Sequence, residues 1–226
     1  MIDFKGHRVE KDIILTCVRW YLAYPLSYRD LKEIMAERGV VVAHSNIYRW
    51  VQKFTPKPEA TFRKGKKRPV GNSWRMDETY IKLKGQWKYL YRAVDKEGQS
   101  IDFLLTTHRD NEAALRFFKK AVRLHGLRDK VTIDKSGANT AAIEALQAET
   151  GHEIEIRQIK YLNNLVEQDH RSIKRIVRPM LGFKSFSSAR ITLRGIELMH
   201  MIKKGQMIAT HGQNLSAAEQ FYSLTA

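Results

Sequence analysis

The segment from residue 74 to residue 107 constrains the fold of this chain more than any other. Apolar and polar residues alternate from Trp74 to Leu83, and two further strand-like runs, Trp87 to Val94 and Ser100 to Thr107, follow after short turns. A period of two indicates a strand with one buried face, and runs joined by tight turns indicate an antiparallel meander. We therefore expect three consecutive antiparallel strands here.

After this meander the pattern alternates between helix and strand. An apolar helical face is followed by a short apolar run that ends at Asp134, and a later helix carries Glu167. The expected elements are a helix over 113–122, a strand over 131–133, a helix over 138–149, a strand over 154–159, a helix around Glu167 and a long helix over 187–207. This order predicts an α/β domain with a mixed sheet.

Residues 1–55 show a helical period instead. Apolar residues recur at three and four positions and predict three short helices. Ser27 and Asp30 have the spacing of a capping box at the start of the second helix, and Gly39 is suited to end it. Ser45 is the expected cap of the third helix.

The third helix has a polar face of residue types that contact base edges and phosphates. That face comprises Asn46, Tyr48, Arg49, Gln52 and Lys53. Two helices joined by a tight turn, the second with such a face, are typical of a helix-turn-helix that binds DNA. A plain helical bundle with a polar outer face is the alternative.

Charge supports a polyanionic partner. The chain carries 40 Lys and Arg against 24 Asp and Glu, a net charge of +16. Such an excess attracts phosphate backbones, so nucleic acid is the leading partner class and an anionic membrane surface is second. Residues 56–73 combine prolines, glycines and a basic run, which is typical of a linker. We expect a DNA-binding domain over 1–55, a basic linker over 56–73 and a catalytic domain with a C-terminal helical segment over 74–226.

Localisation follows from two sequence features. No apolar run approaches the roughly 20 residues of a membrane-spanning helix, and the N-terminus is too charged for a signal peptide. Cys17 is the single cysteine, so no internal disulfide can form, and it falls on an apolar helix face where it is a core residue. We expect a cytoplasmic protein without a membrane partner.

Three acids are candidates for a divalent-metal site, because phosphodiester chemistry on two Mg²⁺ or Mn²⁺ ions needs only a few carboxylate ligands. Asp77 lies mid-strand, where a buried charge must be paired or bound to metal. Its neighbour Glu78 points to the opposite face, so only one of the two is expected to be a ligand. Asp134 could also be an ordinary turn residue, and Glu167 could complete a capping box with Asn164.

Blocks of sequence that span nearly the whole chain carry a family resemblance. They are Leu26–Leu31, Ile47–Gln52, Trp74–Tyr80, Tyr89–Asp95, Ile133–Lys135, Lys160–Asn164 with Glu167–His170, and Gly182–Ser185. In order and content they resemble the DDE transposase and retroviral integrase superfamily, and within it the insertion-sequence six family of bacterial transposases. The resemblance implies an RNase H-like catalytic domain, with three antiparallel strands, a helix, a fourth strand and a later helix that carries the last acid.

The resemblance also implies residue roles. Asp77, Asp134 and Glu167 would be the catalytic, metal-binding triad, and Lys174, two helical turns after Glu167, would hold DNA phosphates, with Arg171 and Arg178 nearby on the chain. The protein would nick the terminal inverted repeats of an element and join the freed 3′-OH to target DNA, with replicative joining to cointegrates. It would act on double-stranded DNA as a homodimer or larger assembly in a bacterial or archaeal nucleoid.

Two other functions remain open on the residues alone. A non-catalytic helix-turn-helix regulator would explain the charge and residues 1–55, and a structure-specific nuclease of the same fold would cut without joining. The sequence has no zinc-binding pattern around Cys17 and no Gly-rich ATP loop.

Overall fold

The computed structural model describes residues 4–6, 8–208 and 214–225. The chain forms two compact units. One, the sheet unit, contains residues 69–171, and the other, the helical unit, combines residues 1–68 with residues 172–226.

The sheet unit is built on five strands in the order β3-β2-β1-β4-β5. The antiparallel meander is confirmed: β1 (Ser73–Leu83) pairs with β2 (Gln86–Asp95), and β2 pairs with β3 (Ser100–Thr106). β4 (Lys130–Thr132) runs parallel to β1, and β5 (Glu155–Arg157) runs parallel to β4. The expected mixed sheet is therefore confirmed, in the element order of an RNase H-like domain.

Helices α5 (Asn111–His125) and α6 (Gly137–Thr150) cover one face of the sheet. Their apolar residues share a core with the alternate strand residues Trp74, Met76 and Tyr91. The first part of α7 (Lys160–Val177) lies against the other face, because Asp169 of α7 forms an ion pair with Arg92 of β2. Arg92 follows Tyr91 in the strand and so points away from the α5 and α6 side.

The helical unit contains the remaining helices. They are α1 (Lys11–Ala23), α2 (Tyr28–Ala36), α3 (His44–Phe54), α4 (Pro56–Thr61), the end of α7, α8 (Phe186–Lys203) and α9 (Ala217–Ser223), with a π-helical turn at Phe62–Lys66 and a 3₁₀ turn at Arg178–Met180. Cys17 is fully buried and unoxidised on α1, as expected of a core residue. Within the part of the chain that is described, no helix has the length and apolarity needed to cross a membrane.

The helix ends test the expected caps. Ser27 and Asp30 form the reciprocal hydrogen bonds of a capping box, and Gly39 adopts φ +73° after α2, so both predictions are confirmed. The cap at Ser45 is wrong, because α3 begins at His44 and its N-cap is Ala43, two residues before Ser45. The Ala43 side chain forms no capping hydrogen bond, so α3 is stabilised by its buried apolar face rather than by a side-chain cap.

The C-terminal segment differs from the expected grouping. We expected residues 74–226 to form one domain, but α8 packs on the N-terminal helices. Gly195 of α8 lies so close to Leu22 and Thr55 that a Cβ there would be 2.6 Å from both side chains. Residues 56–66, expected as linker, are helical. The division into functional domains stays a prediction.

Candidate active site

Strand register brings two of the predicted acids together. β1 and β4 pair with a constant offset, Ser73 beside Lys130 and Arg75 beside Thr132, and the same offset places Asp77 level with Asp134. Carboxylate oxygens of Asp77, Glu78 and Asp134 lie within 4.8 Å of one another. The three side chains are thus within the distance that a shared cation requires.

Glu78 was expected to point to the face opposite Asp77 and therefore not to be a ligand. The first part of this expectation is correct, but the second part is wrong. The alternation itself holds, since Glu78 pairs across the sheet with Tyr91, on the face covered by α5 and α6. Its longer side chain nevertheless reaches the end of β4, where it joins the cluster. Consecutive strand residues can therefore both offer oxygens to one site.

Arg109, in the loop before α5, joins the cluster from outside the predicted set. One guanidinium nitrogen, Nη2, donates to Asp134 Oδ2 at 2.8 Å and lies 3.3 Å from Glu78 Oε2. Burial lowers the pKa of Arg109, but the charges of Glu78 and Asp134 outweigh it, so the net shift is upward. No sequence pattern singles out this arginine, because its partners are 31 and 25 residues away.

Asp134 is also the turn residue that opens α6. Its Oδ1 accepts hydrogen bonds from the backbone N–H of Ser136 and from Asn139 Nδ2, both at 3.1 Å. The turn alternative is therefore correct without excluding the site, because the other oxygen, Oδ2, faces Arg109. These bonds hold the carboxylate in one orientation at the end of β4.

The electrostatics of Asp77 indicate a site that favours a cation. Burial, and after it the charge of Glu78, raises the pKa of Asp77 to about 7. The charges of Asp134 and Glu167 act in the same direction. His170 Nδ1 lies 3.7 Å from Asp77 Oδ2. Burial also raises the pKa of Glu78, while Arg109 opposes the rise.

Glu167 lies on α7 with an exposed side chain. Its charge acts on Asp77, although among the described residues the ligand-distance cluster comprises Asp77, Glu78 and Asp134. The capping-box alternative is wrong, because α7 begins at Lys160 and Asn164 lies inside the helix. Glu167 therefore has no capping role.

A buried ion pair positions this part of α7. Arg92 Nη2 lies 2.7 Å from Asp169 Oδ2, and the two side chains are only 1% and 7% exposed. Arg92 stands opposite Asp77 in the register of β1 and β2. Leu165 packs beside Gly98 at the turn between β2 and β3. The pair holds α7 over β2, next to the strand that carries Asp77, and Asp169 is two residues from Glu167 on the helix.

The donor set fits a hard divalent cation. Asp77, Glu78 and Asp134 offer only carboxylate oxygens, which Mg²⁺ and Mn²⁺ accept, and no nitrogen or sulfur ligand belongs to this cluster. Burial and, after it, the charge of Glu78 raise the pKa of Asp77, and a bound cation would offset both effects. The arrangement can hold a metal ion beside an oxygen nucleophile.

The expected DNA contacts have different surroundings. Arg171 and Lys174 are exposed on α7, and Arg178 is exposed in the following 3₁₀ turn. On α3, Arg49 and Lys53 are exposed.

The other three residues of the predicted α3 face are partly buried or contact other side chains. Tyr48 is 41% exposed, and its ring centroid lies 5.7 Å from that of Tyr28 in an edge-to-face arrangement. Asn46 is half-buried. Gln52 is half-buried and its Nε2 donates to Thr192 Oγ1 of α8 at 3.2 Å, and its contact with DNA stays a prediction.

Comparison with known proteins identifies the family. The model of a protein family described as a DDE domain matches residues 71–206, which include β1 to β5 and the acidic cluster. The chain belongs to the DDE transposase family. It is 42% identical over 205 residues to the transposase for insertion sequence-like element IS431mec of Staphylococcus aureus, an alignment that covers 89% of this chain and 88% of the relative. This confirms the resemblance seen in the sequence.

A second relative and two solved structures are also similar. The transposase for insertion sequence element IS257 in transposon Tn4003 of S. aureus is likewise 42% identical, with the same coverage. The HTLV-2 integrase catalytic core domain in complex with magnesium aligns with 70% of this chain and 99% of its own, at TM-score 0.46 and 13% identity. The BIV integrase core aligns with 68% and 93%, at TM-score 0.45 and 16% identity. The chain is a DDE-type transposase, and its function is DNA transposition.

Proposed function

We propose that Asp77, Asp134 and Glu167 bind two catalytic Mg²⁺ or Mn²⁺ ions. The observation that carries this proposal is the convergence of Asp77 and Asp134 from adjoining parallel strands to ligand distance, with the charge of Glu167 acting on Asp77. Glu78 supplies a further oxygen to the same cluster. Bound metal would activate the attacking oxygen and offset charge on the leaving oxygen.

The residues around the acids hold them ready for this role. Ser136 and Asn139 fix the orientation of Asp134, and the pair between Arg92 and Asp169 holds the helix that carries Glu167. Arg109 neutralises part of the cluster before metal enters. A bound cation would supply the same positive charge, and the partly exposed Arg109 would then be available to a DNA phosphate.

The substrate that we propose is double-stranded DNA, as element ends and as target. Water would first attack the phosphodiester at an element end, the bond to the leaving oxygen would break, and a free 3′-OH would remain. The 3′-OH would then attack a target phosphodiester, which breaks one bond for each bond that forms. No covalent link between protein and DNA is needed.

DNA would be held by basic residues outside the acidic cluster. We propose that α2 and α3 form a helix-turn-helix that binds terminal inverted repeats. The residues proposed to contact DNA are Tyr48, Arg49, Lys53 and the half-buried Asn46 and Gln52. Lys174 follows Glu167 by two helical turns on α7 and so shares its side of the helix, where it would bind a phosphate with Arg171 and Arg178. A homodimer or larger assembly would bring two element ends together. The reaction would take place at the nucleoid in the cytoplasm.

A strand-joining assay tests this function. The purified chain is mixed with Mg²⁺ or Mn²⁺ and labelled duplexes that carry the DNA ends flanking its own gene. We expect joined products from the wild type, none from Glu167→Gln, and normal products from Glu153→Gln, an exposed glutamate outside the cluster. Cleavage without joining would favour the nuclease. DNA binding without any metal-dependent chemistry would leave the regulator.

A further inference from the structure

The tip of the β1–β2 hairpin carries an aromatic surface that the acidic cluster does not use. Tyr80 and Trp87 are 48% and 62% exposed and lie side by side, so they form an exposed apolar patch. The Tyr80 ring lies 5.4 Å from the ring of Tyr89 and 6.5 Å from that of Trp87. Tyr89 is half-buried against the sheet core. We call these three residues the aromatic platform.

Strand register places the platform on the same face as Glu78. Glu78 stands opposite Tyr91, Tyr80 opposite Tyr89, and Lys82 opposite Trp87. Directly opposed residues share a face, and so do residues two apart on one strand. The platform therefore begins about 7 Å from Glu78 and ends roughly 13 Å from it along the strand, at about 3.3 Å per residue.

The hairpin is rigid enough to present these rings. Lys84 and Gly85 form a two-residue turn with φ +49° and +79°, the geometry of a turn that matches the twist of the flanking strands. β1 and β2 stay paired up to Leu83 and Gln86 on either side of this turn. The paired strands therefore position the rings, and no longer loop in this hairpin would have to become ordered when a ligand binds.

Charge identifies the kind of partner. Residues 79–90 contain three lysines, Lys82, Lys84 and Lys88, and no acidic residue. Lys82 and Lys84 are exposed. A second copy of this chain, with a net charge of +16, would bring like charges together at this surface. A polyanion that also offers flat apolar faces meets both features, and a nucleic acid strand is such a ligand.

Unpaired bases fit better than a duplex. In a duplex each base face is covered by its neighbours, so a side-chain ring can stack only where bases are unpaired. A length of about 7 Å would hold roughly two nucleotides at about 3.4 Å each. We infer that the aromatic platform stacks unpaired bases of a DNA strand that leaves the acidic cluster, while Lys82 and Lys84 contact its phosphates. This inference rests on the proposed function, which places a nicked DNA end at that cluster.

Binding of labelled oligonucleotides to the full chain tests the platform. A single-stranded oligonucleotide of roughly 10 nucleotides and a duplex of the same sequence are titrated in EDTA, so that no cleavage occurs. We expect Trp87→Ala to weaken single-strand binding roughly tenfold and duplex binding very little. Trp87→Phe keeps a ring and should keep most of the affinity. Tyr161→Ala, which removes a 69% exposed aromatic side chain from α7, should change neither.

A photo-crosslinking experiment locates the bases. Oligonucleotides that carry 5-iododeoxyuridine should crosslink to the peptide that contains residues 80–89, and Trp87→Ala should lose this product. Wild-type single-strand affinity in Trp87→Ala would overturn the inference, as would an equal loss for single strand and duplex. A change in sedimentation with unchanged DNA affinity would instead make the platform a contact between protein copies and would also overturn it.

The two proposals fail separately. If the wild type joins no strands but Trp87→Ala still selectively weakens single-strand binding, the proposed chemistry fails and the platform stands. If the wild type joins strands and Trp87→Ala binds single strands normally, only the platform fails.

Discussion

Asp77 shows how one buried carboxylate couples stability to metal binding. Its pKa of about 7 means that the folded protein holds a proton that the unfolded chain releases near pH 4. The stability that this proton contributes is complete below the unfolded pKa and is lost as the pH rises through 7. The ionised form of Asp77 therefore lowers the stability of the metal-free protein at the pH at which metal would bind.

Asp77→Asn should therefore stabilise the metal-free protein, and more so at high pH. Between pH 5 and pH 8 the advantage of the variant over the wild type should grow by about 2 kcal/mol. Urea unfolding in EDTA at both pH values measures it. Parallel pH profiles for the two proteins would contradict the assignment. Added Mn²⁺ should raise the melting temperature of the wild type but not of Asp77→Asn.

Arg109→Ala should show whether the guanidinium takes the place of a metal ion in the metal-free protein. In EDTA the variant should be less stable by roughly 1 kcal/mol, because Glu78 and Asp134 lose a partly exposed counter-charge. In saturating Mg²⁺ the difference should shrink, because the ion supplies the missing charge. Thermal unfolding with and without Mg²⁺ measures it, with Arg116→Ala on the exposed side of α5 as a control. A difference that Mg²⁺ leaves unchanged would assign Arg109 a purely structural role.

At the scale of elements, β1 and α7 position the candidate site. β1 contributes Asp77 to one face and Glu78 to the other, and both reach the end of β4. α7 is held over β2 by a pair of buried charges rather than by apolar contact alone. Helices held by a buried ion pair depend strongly on both partners, because either charge alone is costly in the interior.

Asp169→Ala tests this anchor. Removing the carboxylate leaves the buried charge of Arg92 without its nearest anion, so unfolding should become easier by about 3 kcal/mol. Strand joining should fall as well, because Glu167 lies two residues away on the same helix. Gln168→Ala, an exposed neighbour, should change neither quantity. Wild-type stability in Asp169→Ala, measured by urea unfolding, would show that apolar packing holds α7.

At the scale of the whole molecule, charge dominates the interaction with DNA. The net charge of +16 is spread over both units, with Arg49 and Lys53 in one and the lysines of the β1–β2 hairpin in the other. Phosphate neutralisation releases counterions, so a protein of this kind binds DNA in a strongly salt-dependent way.

Duplex affinity should therefore fall by about 10³-fold between roughly 50 and 200 mM salt, as for six or more phosphate contacts. Lys174→Ala should lower the slope of log affinity against log salt by about one and weaken all sequences alike. Arg49→Ala should weaken binding to the element ends more than binding to unrelated DNA. Fluorescence anisotropy titrations at several salt concentrations measure these effects. An unchanged slope for Lys174→Ala would remove that residue from the phosphate contacts.

Local sequence patterns were sufficient to predict the helices and strands named here. The period of two predicts β1 to β3, the capping box at Ser27 and the glycine at 39 bound α2, and the order of strands and helices predicts the mixed sheet. Asp77 and Asp134 could be singled out as well, because each is an acid in or at the end of an apolar run. These features depend on neighbours along the chain, which the sequence by itself determines.

Only the tertiary structure decided how distant side chains meet. Arg109 meets Glu78 across 31 residues, Gln52 meets Thr192 across 140, and α8 packs on α1 from the far end of the chain. Strand register and helix packing set these contacts, and both depend on how the whole chain buries its apolar surface. A local pattern shows that a residue is polar or buried, but the partner of that residue is a property of the folded molecule.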